Sequence, residues 1–95
     1  MPALWIGHVT VNDEDAYGKY AALAGPAIAK YGGKFIARGG RYIQLEGTDR
    51  PRNVVAKFES LEAAETCYNS NEYQAALDFA RGAAERELSI VETSE

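Results

Sequence analysis

The chain has 95 residues, 46% of them hydrophobic, with 10 Lys and Arg against 14 Asp and Glu and a sequence pI of about 5.0. That length suits one domain over residues 1–95, burying a little over ~60% of the surface its unfolded form exposes, so that self-association adds to its stability. The net charge of −4 removes the electrostatic basis for nonspecific binding to nucleic acid or anionic lipid, and no apolar run approaches the roughly 18 residues of a membrane span, so neither nucleic acid nor a membrane is expected as partner and a cytoplasmic location is.

Ala3 to Val11 (ALWIGHVTV) is rich in β-branched and aromatic residues and reads as a strand. Alternation places Leu4, Ile6, His8 and Thr10 on one face and Trp5, Gly7, Val9 and Val11 on the other. Both faces carry large apolar groups, so the face without helices needs a cover of its own, a partner chain or a ligand. The next segment is a helix: Asn12 or Asp13 caps it, Glu14 and Asp15 suit its N-terminal dipole, and Gly32-Gly33 ends it. Tyr17, Tyr20 or Ala21, Ala24, Ile28 and Tyr31 form its inward stripe. Pro26 is expected to kink or split it, because proline lacks the amide donor and collides with the preceding turn.

Lys34 to Arg38 and Arg52 to Phe58 read as two more strands of a long hairpin, whose connection holds Gly39-Gly40, Gly47, Pro51 and a strand extension over Arg41 to Leu45. Ser60 caps a helix from Leu61 to Asn69, and Asn71 caps another from Glu72 to Ala84 with Tyr73, Ala76, Leu77, Ala80 and Ala84 inward. Glu87 to Glu92 is a final short strand. Strand, helix, strand, strand, helix pair, strand is the order of a ferredoxin-like α+β fold, an antiparallel sheet with helices on one face.

Three stretches in combination carry a resemblance: YGGKFIARGG at Tyr31 to Gly40, VVAKFESLEAAETCYNSNEYQAA at Val54 to Ala76, and the Trp5 strand before them. Together they resemble the bacterial family catalogued as domain of unknown function 1330, in the dimeric α/β-barrel superfamily, over nearly the whole chain. The resemblance implies a ferredoxin-like monomer whose sheet packs on a second copy to close a barrel. The wider superfamily includes cofactor-independent monooxygenases, isomerases and haem-degrading proteins, so the fold selects no reaction. Two positions depart from the family pattern: Lys57 stands where a glutamate is common, which puts an acidic role there in doubt, and Asn71 where proline is common.

The candidate chemistry rests on few residues. Cys67 is the only cysteine and His8 the only histidine, so no disulfide within the chain and no thiolate or imidazole metal cluster can form, and no cofactor is expected. His8, the one side chain that ordinarily titrates near neutrality, is the candidate general base, against a buried or dimer-facing histidine. Arg38, beside Gly39-Gly40, is the candidate holder of a carboxylate or enolate, against a structural ion pair. Trp5, Tyr17, Tyr20, Tyr68 and Tyr73 are candidate ligand-binding aromatics, against core aromatics whose hydroxyls reach the rim; for Trp5 the simpler account is a dimer-facing position.

The middle of the chain is basic, with Lys30, Lys34, Arg38, Arg41, Arg50, Arg52 and Lys57 against Glu46 and Asp49, and the end is acidic. That pattern means either complementary charge between neighbouring elements or subunits, or a basic mouth for an anion. The expected function is a homodimeric protein that binds an anionic or aromatic small molecule, with proton abstraction, isomerisation or oxygenation as its candidate reactions. The alternative is a non-catalytic dimeric structural or interaction module, and haem binding through His8 is a third.

Overall fold

The computed structural model describes all 95 residues. The elements follow in the order β1 (Ala3–Val11), α1 (Glu14–Lys30), β2 (Lys34–Arg38), β3 (Arg52–Phe58), α2 (Leu61–Asn69), α3 (Asn71–Ala80) and β4 (Ala84–Glu92). The strands form one antiparallel sheet ordered β2-β3-β1-β4, the ferredoxin-like arrangement. β1 lies in the interior because it carries the longest run of apolar and β-branched residues, and the charged β2 and β4 take the edges, where exposed charge discourages further pairing.

The helices cover the face bearing Ala3, Trp5, Gly7 and Val9, all buried. Trp5 is therefore a core residue and does not face a partner copy: its ring stacks on Phe58 at 5.7 Å and meets Tyr73 edge-on at 5.0 Å. Leu4, Ile6, His8 and Thr10 occupy the uncovered face. The strand register carries this division outward, so that Lys57, Val55 and Asn53 of β3 and Val91, Ser89, Glu87 and Glu85 of β4 share the open face.

Asp13 caps α1 by accepting from the Ala16 amide at 3.1 Å. The helix runs through Pro26 as one element from Glu14 to Lys30, so the proline does not split it. Pro26 is exposed, and so is Ala22, whose carbonyl loses its helical donor and can turn to water. Gly25 before it has no Cβ for the proline ring to strike. Gly32, at φ +87°, turns the chain, and Gly33 then passes so close to the core that a Cβ there would lie 2.5 Å from Ile28 and 2.6 Å from Phe58.

Three further boundaries differ from expectation. Ser70 caps α3, accepting from Tyr73 N at 3.1 Å, because Asn71 is already helical. α3 ends at Ala80, where Gly82 at φ +78° reverses the chain, and Ala84 belongs to β4, opposite Val11. Arg41 to Leu45 pairs with no strand, leaving Ile43 86% and Leu45 87% exposed.

Candidate functional site

A cleft lies between α1 and the covered face of the sheet. Rows of cross-strand partners form its floor. Arg38, Val54, Gly7 and Leu88 make one row across β2, β3, β1 and β4, and Arg52, Val9 and Arg86 make the next. Gly7 supplies the hollow: a Cβ there would only just reach Leu88, 3.4 Å away. On the helix side Tyr17 and Tyr20 stand over the floor, their ring centroids 4.9 Å apart, while the small Ala21, Ala24 and Gly25 let α1 approach.

Three guanidinium groups border this cleft, each against an aromatic ring, those of Arg52 and Arg86 partly buried and that of Arg38 at the exposed rim. Arg38 lies 4.1 Å from the Phe35 centroid, Arg86 4.8 Å from that of Tyr20, and Arg52 5.8 Å from that of Tyr17. Glycines make room for two of them, since a Cβ on Gly25 would come within 3.3 Å of Arg38 Nη2 and one on Gly39 within 3.0 Å of Arg52 Nη1. Gly39, at φ +69°, thus provides both a turn and a berth for an arginine.

None of the three cations is neutralised. The ion pairs of the molecule are Lys30–Glu72, Arg50 with Glu85 and Glu87, and Arg81–Asp78. The Nε atoms of Arg52 and Arg86 are buried without an acceptor. Arg86 Nη2 donates to the Tyr20 hydroxyl at 2.9 Å and the Tyr73 hydroxyl at 3.1 Å, and those hydroxyls lie 2.8 Å from each other. Burial, reinforced by the neighbouring Tyr73, pushes the Tyr20 hydroxyl well above its ordinary pKa, and burial also raises that of Tyr73. Both are neutral donors at physiological pH.

The expected site residues separate accordingly. Trp5, Tyr17, Tyr20 and Arg38 line the cleft, and Tyr73, wholly buried, backs it through Tyr20 and Trp5. Tyr68 lies outside, 37% exposed, in another groove beside Glu65 and Asn69. His8 is on the open face, its Nδ1 2.7 Å from Asn53 Oδ1. The sheet stands between His8 and Arg38, so within one chain they cannot serve as base and anion holder for one molecule.

Arg52 and Arg86 were not anticipated as site residues. The signal was there: each stands at the inward position of a period-two series, Arg52 with Val54, Ala56 and Phe58, and Arg86 with Ala84, Leu88 and Ile90. A charge among inward apolar positions calls for a counter-charge, and neither arginine has a carboxylate partner, Arg86 meeting only two hydroxyls. The basic stretch itself divides, since Arg38 and Arg52 border the cleft while Arg50 neutralises Glu87 on the open face. No group of three or more His, Cys, Asp or Glu is placed to hold a metal ion.

Fold and cleft together define a ferredoxin-like protein with an uncompensated cationic pocket between sheet and helix. The chain belongs to the family described as domain of unknown function DUF1330, whose model matches residues 2–94. Among solved structures it is similar to a protein of unknown function from Rhodopseudomonas palustris, at 20% identity and TM-score 0.79, covering 99% of this chain and 83% of that one. It is also similar to a dimeric ferredoxin-like protein of unknown function from Jannaschia sp. CCS1, at 13% identity and TM-score 0.71, covering 96% and 99%. A third similar structure is SnoaB, a cofactor-independent oxygenase from Streptomyces nogalater, at 13% identity and TM-score 0.66, covering 99% and 94%. Among curated proteins nothing matches. At these identities the likeness establishes the fold.

Proposed function

We propose that this chain forms a homodimer through the open face of its sheet and binds a small organic anion in the cleft beneath α1. The observation that carries the binding reading is the set Arg38, Arg52 and Arg86, brought together without a carboxylate in a chain of net charge −4. Arg52 and Arg86 are partly buried without a counter-charge, which is unfavourable, and an anion that accepts from their free Nε donors offsets it, while Arg38 is exposed at the rim of the cleft. The flanking tyrosine rings suit a planar, aromatic or unsaturated acid.

The dimer reading rests on the open face. Leu4, Ile6, Val55 and Val91 form its apolar centre, Lys34 and Lys57 share one corner, and Glu85 and Glu87, two carboxylates that share the single cation of Arg50 and so keep a negative surplus, lie at the diagonally opposite one. Two copies stacked about a two-fold axis along the other diagonal would set each basic corner on its partner's acidic corner. His8 and Asn53 then serve the interface.

Calorimetric titration with benzoate tests the binding. Arg52→Gln and Arg86→Gln are each expected to weaken it tenfold or more, about 1.4 kcal/mol, and native mass spectrometry is expected to show two subunits. Saturating benzoate without heat, in a correctly folded dimer, would sink the binding reading. One observation favours a second reading, a purely structural dimeric module: the inner cavity measures only about 30 Å³. On that reading Arg52→Gln changes stability alone.

A further inference from the structure

Tyr20, Tyr73 and Arg86 hold more hydrogen-bond donors than they use. Arg86 Nη2 donates to both hydroxyls, and the two hydroxyls share one proton across 2.8 Å. The second hydroxyl proton has no acceptor within the trio. Tyr73 is 0% exposed, whereas Tyr20 lines the cleft. Either hydroxyl can donate to the other, and since an unsatisfied donor is less costly where water or a ligand can reach it, Tyr20 is the one that can turn its proton to a ligand in the cleft when Tyr73 donates to it. The Nε atoms of Arg52 and Arg86 are likewise buried donors without acceptors. Every surplus group at this end of the cleft is a donor.

Space divides the ligand into two parts. The inner cavity of about 30 Å³ admits an oxygen atom or a water, and no ring. An outer groove of about 420 Å³, which shares Tyr17, Ala21 and Arg52 with the cavity, has room for one. Glu14 stands in that outer groove, where a second negative charge on the ligand would meet repulsion.

Resting on the reading of the cleft as an anion site, we propose that its inner end is an oxyanion hole that takes a singly acidic phenol or enol and holds it as the anion. The ring lies in the outer groove, and the oxygen accepts hydrogen bonds from Tyr20 and from Arg52 or Arg86. The ligand O–H bond breaks heterolytically, its proton passes to bulk water, and nothing is oxidised or reduced. The charged groups facing that oxygen are Arg52 from β3, Arg86 from β4 and Arg38 from β2, with Tyr17 and Tyr20 from α1, Tyr73 from α3 behind them and Glu14 at the outer end. The balance is cationic, which stabilises a phenolate over a phenol.

The probe is 4-nitrophenol, whose phenolate absorbs visible light, titrated over pH with the full-length dimer and without it. Its ionisation midpoint is expected to fall by about 1 unit or more on binding, which means phenolate held at least about tenfold tighter than phenol. Tyr20→Phe is expected to remove more of that shift than Tyr73→Phe, and Tyr68→Phe to leave it unchanged. Should Arg86→Gln not fold, Arg52→Gln reports the loss of cation. A bound nitrophenol whose midpoint does not fall overturns the oxyanion hole, as does benzoate binding without nitrophenol binding, and both of these leave the anion site standing. Failure of both probes to bind overturns the anion site and the oxyanion hole together.

Discussion

The two faces of one sheet treat positive charge in opposite ways. On the open face Arg50, with a side chain only 15% exposed, is held by Glu87 at 2.9 Å and by Thr10 at 3.1 Å, so its charge is neutralised where it lies. On the covered face Arg38, Arg52 and Arg86 have aromatic rings and hydroxyls for company but no carboxylate. Arg50 and Arg52, two positions apart across Pro51, thus have different roles. A cation paired within its own chain supports the fold, and one left unpaired under a helix is available to something that arrives from outside.

The largest expected effect lies in the covered core. Trp5→Ala should cost about 3–5 kcal/mol by urea denaturation, since it removes the ring that Phe58 and Tyr73 pack against. A loss comparable to that of a surface residue would show that Trp5 does not anchor this face. Gly33→Ala should cost about 1–3 kcal/mol, because its methyl group would enter space held by Ile28 and Phe58.

The arginines sharpen the contrast. Arg86→Met is expected to leave stability within about 1 kcal/mol of the parent, or to raise it, because a poorly compensated charge leaves the interior. The same variant should lose benzoate binding. Arg50→Met should do the reverse, costing about 1 kcal/mol or less while binding persists. If both variants lose binding equally, the two faces are not functionally distinct.

Alkaline pH distinguishes the core in a quieter way. Burial pushes the Cys67 thiol up to about 11 and raises the Tyr20 and Tyr73 hydroxyls. Above pH ~9 the unfolded chain releases protons that the folded chain retains, so stability is full below that pH and falls as pH rises. Urea midpoints between pH ~8 and ~10.5 should decline, and Cys67→Ala should flatten the first part of the decline. A midpoint independent of pH over that window would mean that these groups are not shielded.

Much of the scaffold was legible from residues alone. Lys34–Arg38 and Arg52–Phe58 stand as strands at the expected limits, and Ser60 caps α2, accepting from Ala63 N at 3.0 Å. The end of α3 was less legible, because the alanines around Arg81-Gly82 favour helix, whereas Gly82 turns the chain and pairing with Val11 places Ala84 in β4. Arg41–Leu45 holds the strand-favouring Tyr42 and Ile43 yet has no neighbour to pair with. At the site, Arg38 and the helix tyrosines were recognisable by type and periodicity, whereas Arg86 meets Tyr20 across 66 positions of sequence.

By itself the sequence determined the element order, the one-domain length and the two residue sets of β1, because alternation and capping are local properties of the chain. Which set became core was a tertiary decision. Leu4 and Ile6 are as apolar as Val9, and only the placement of α1 and α3 over Trp5 buries one face and leaves His8 on the other. The cleft was decided in the same way. Its cations come from three strands and its rings from α1, β1 and β2, and their meeting depends on strand register and on how α1 lies across the sheet, which no local pattern encodes.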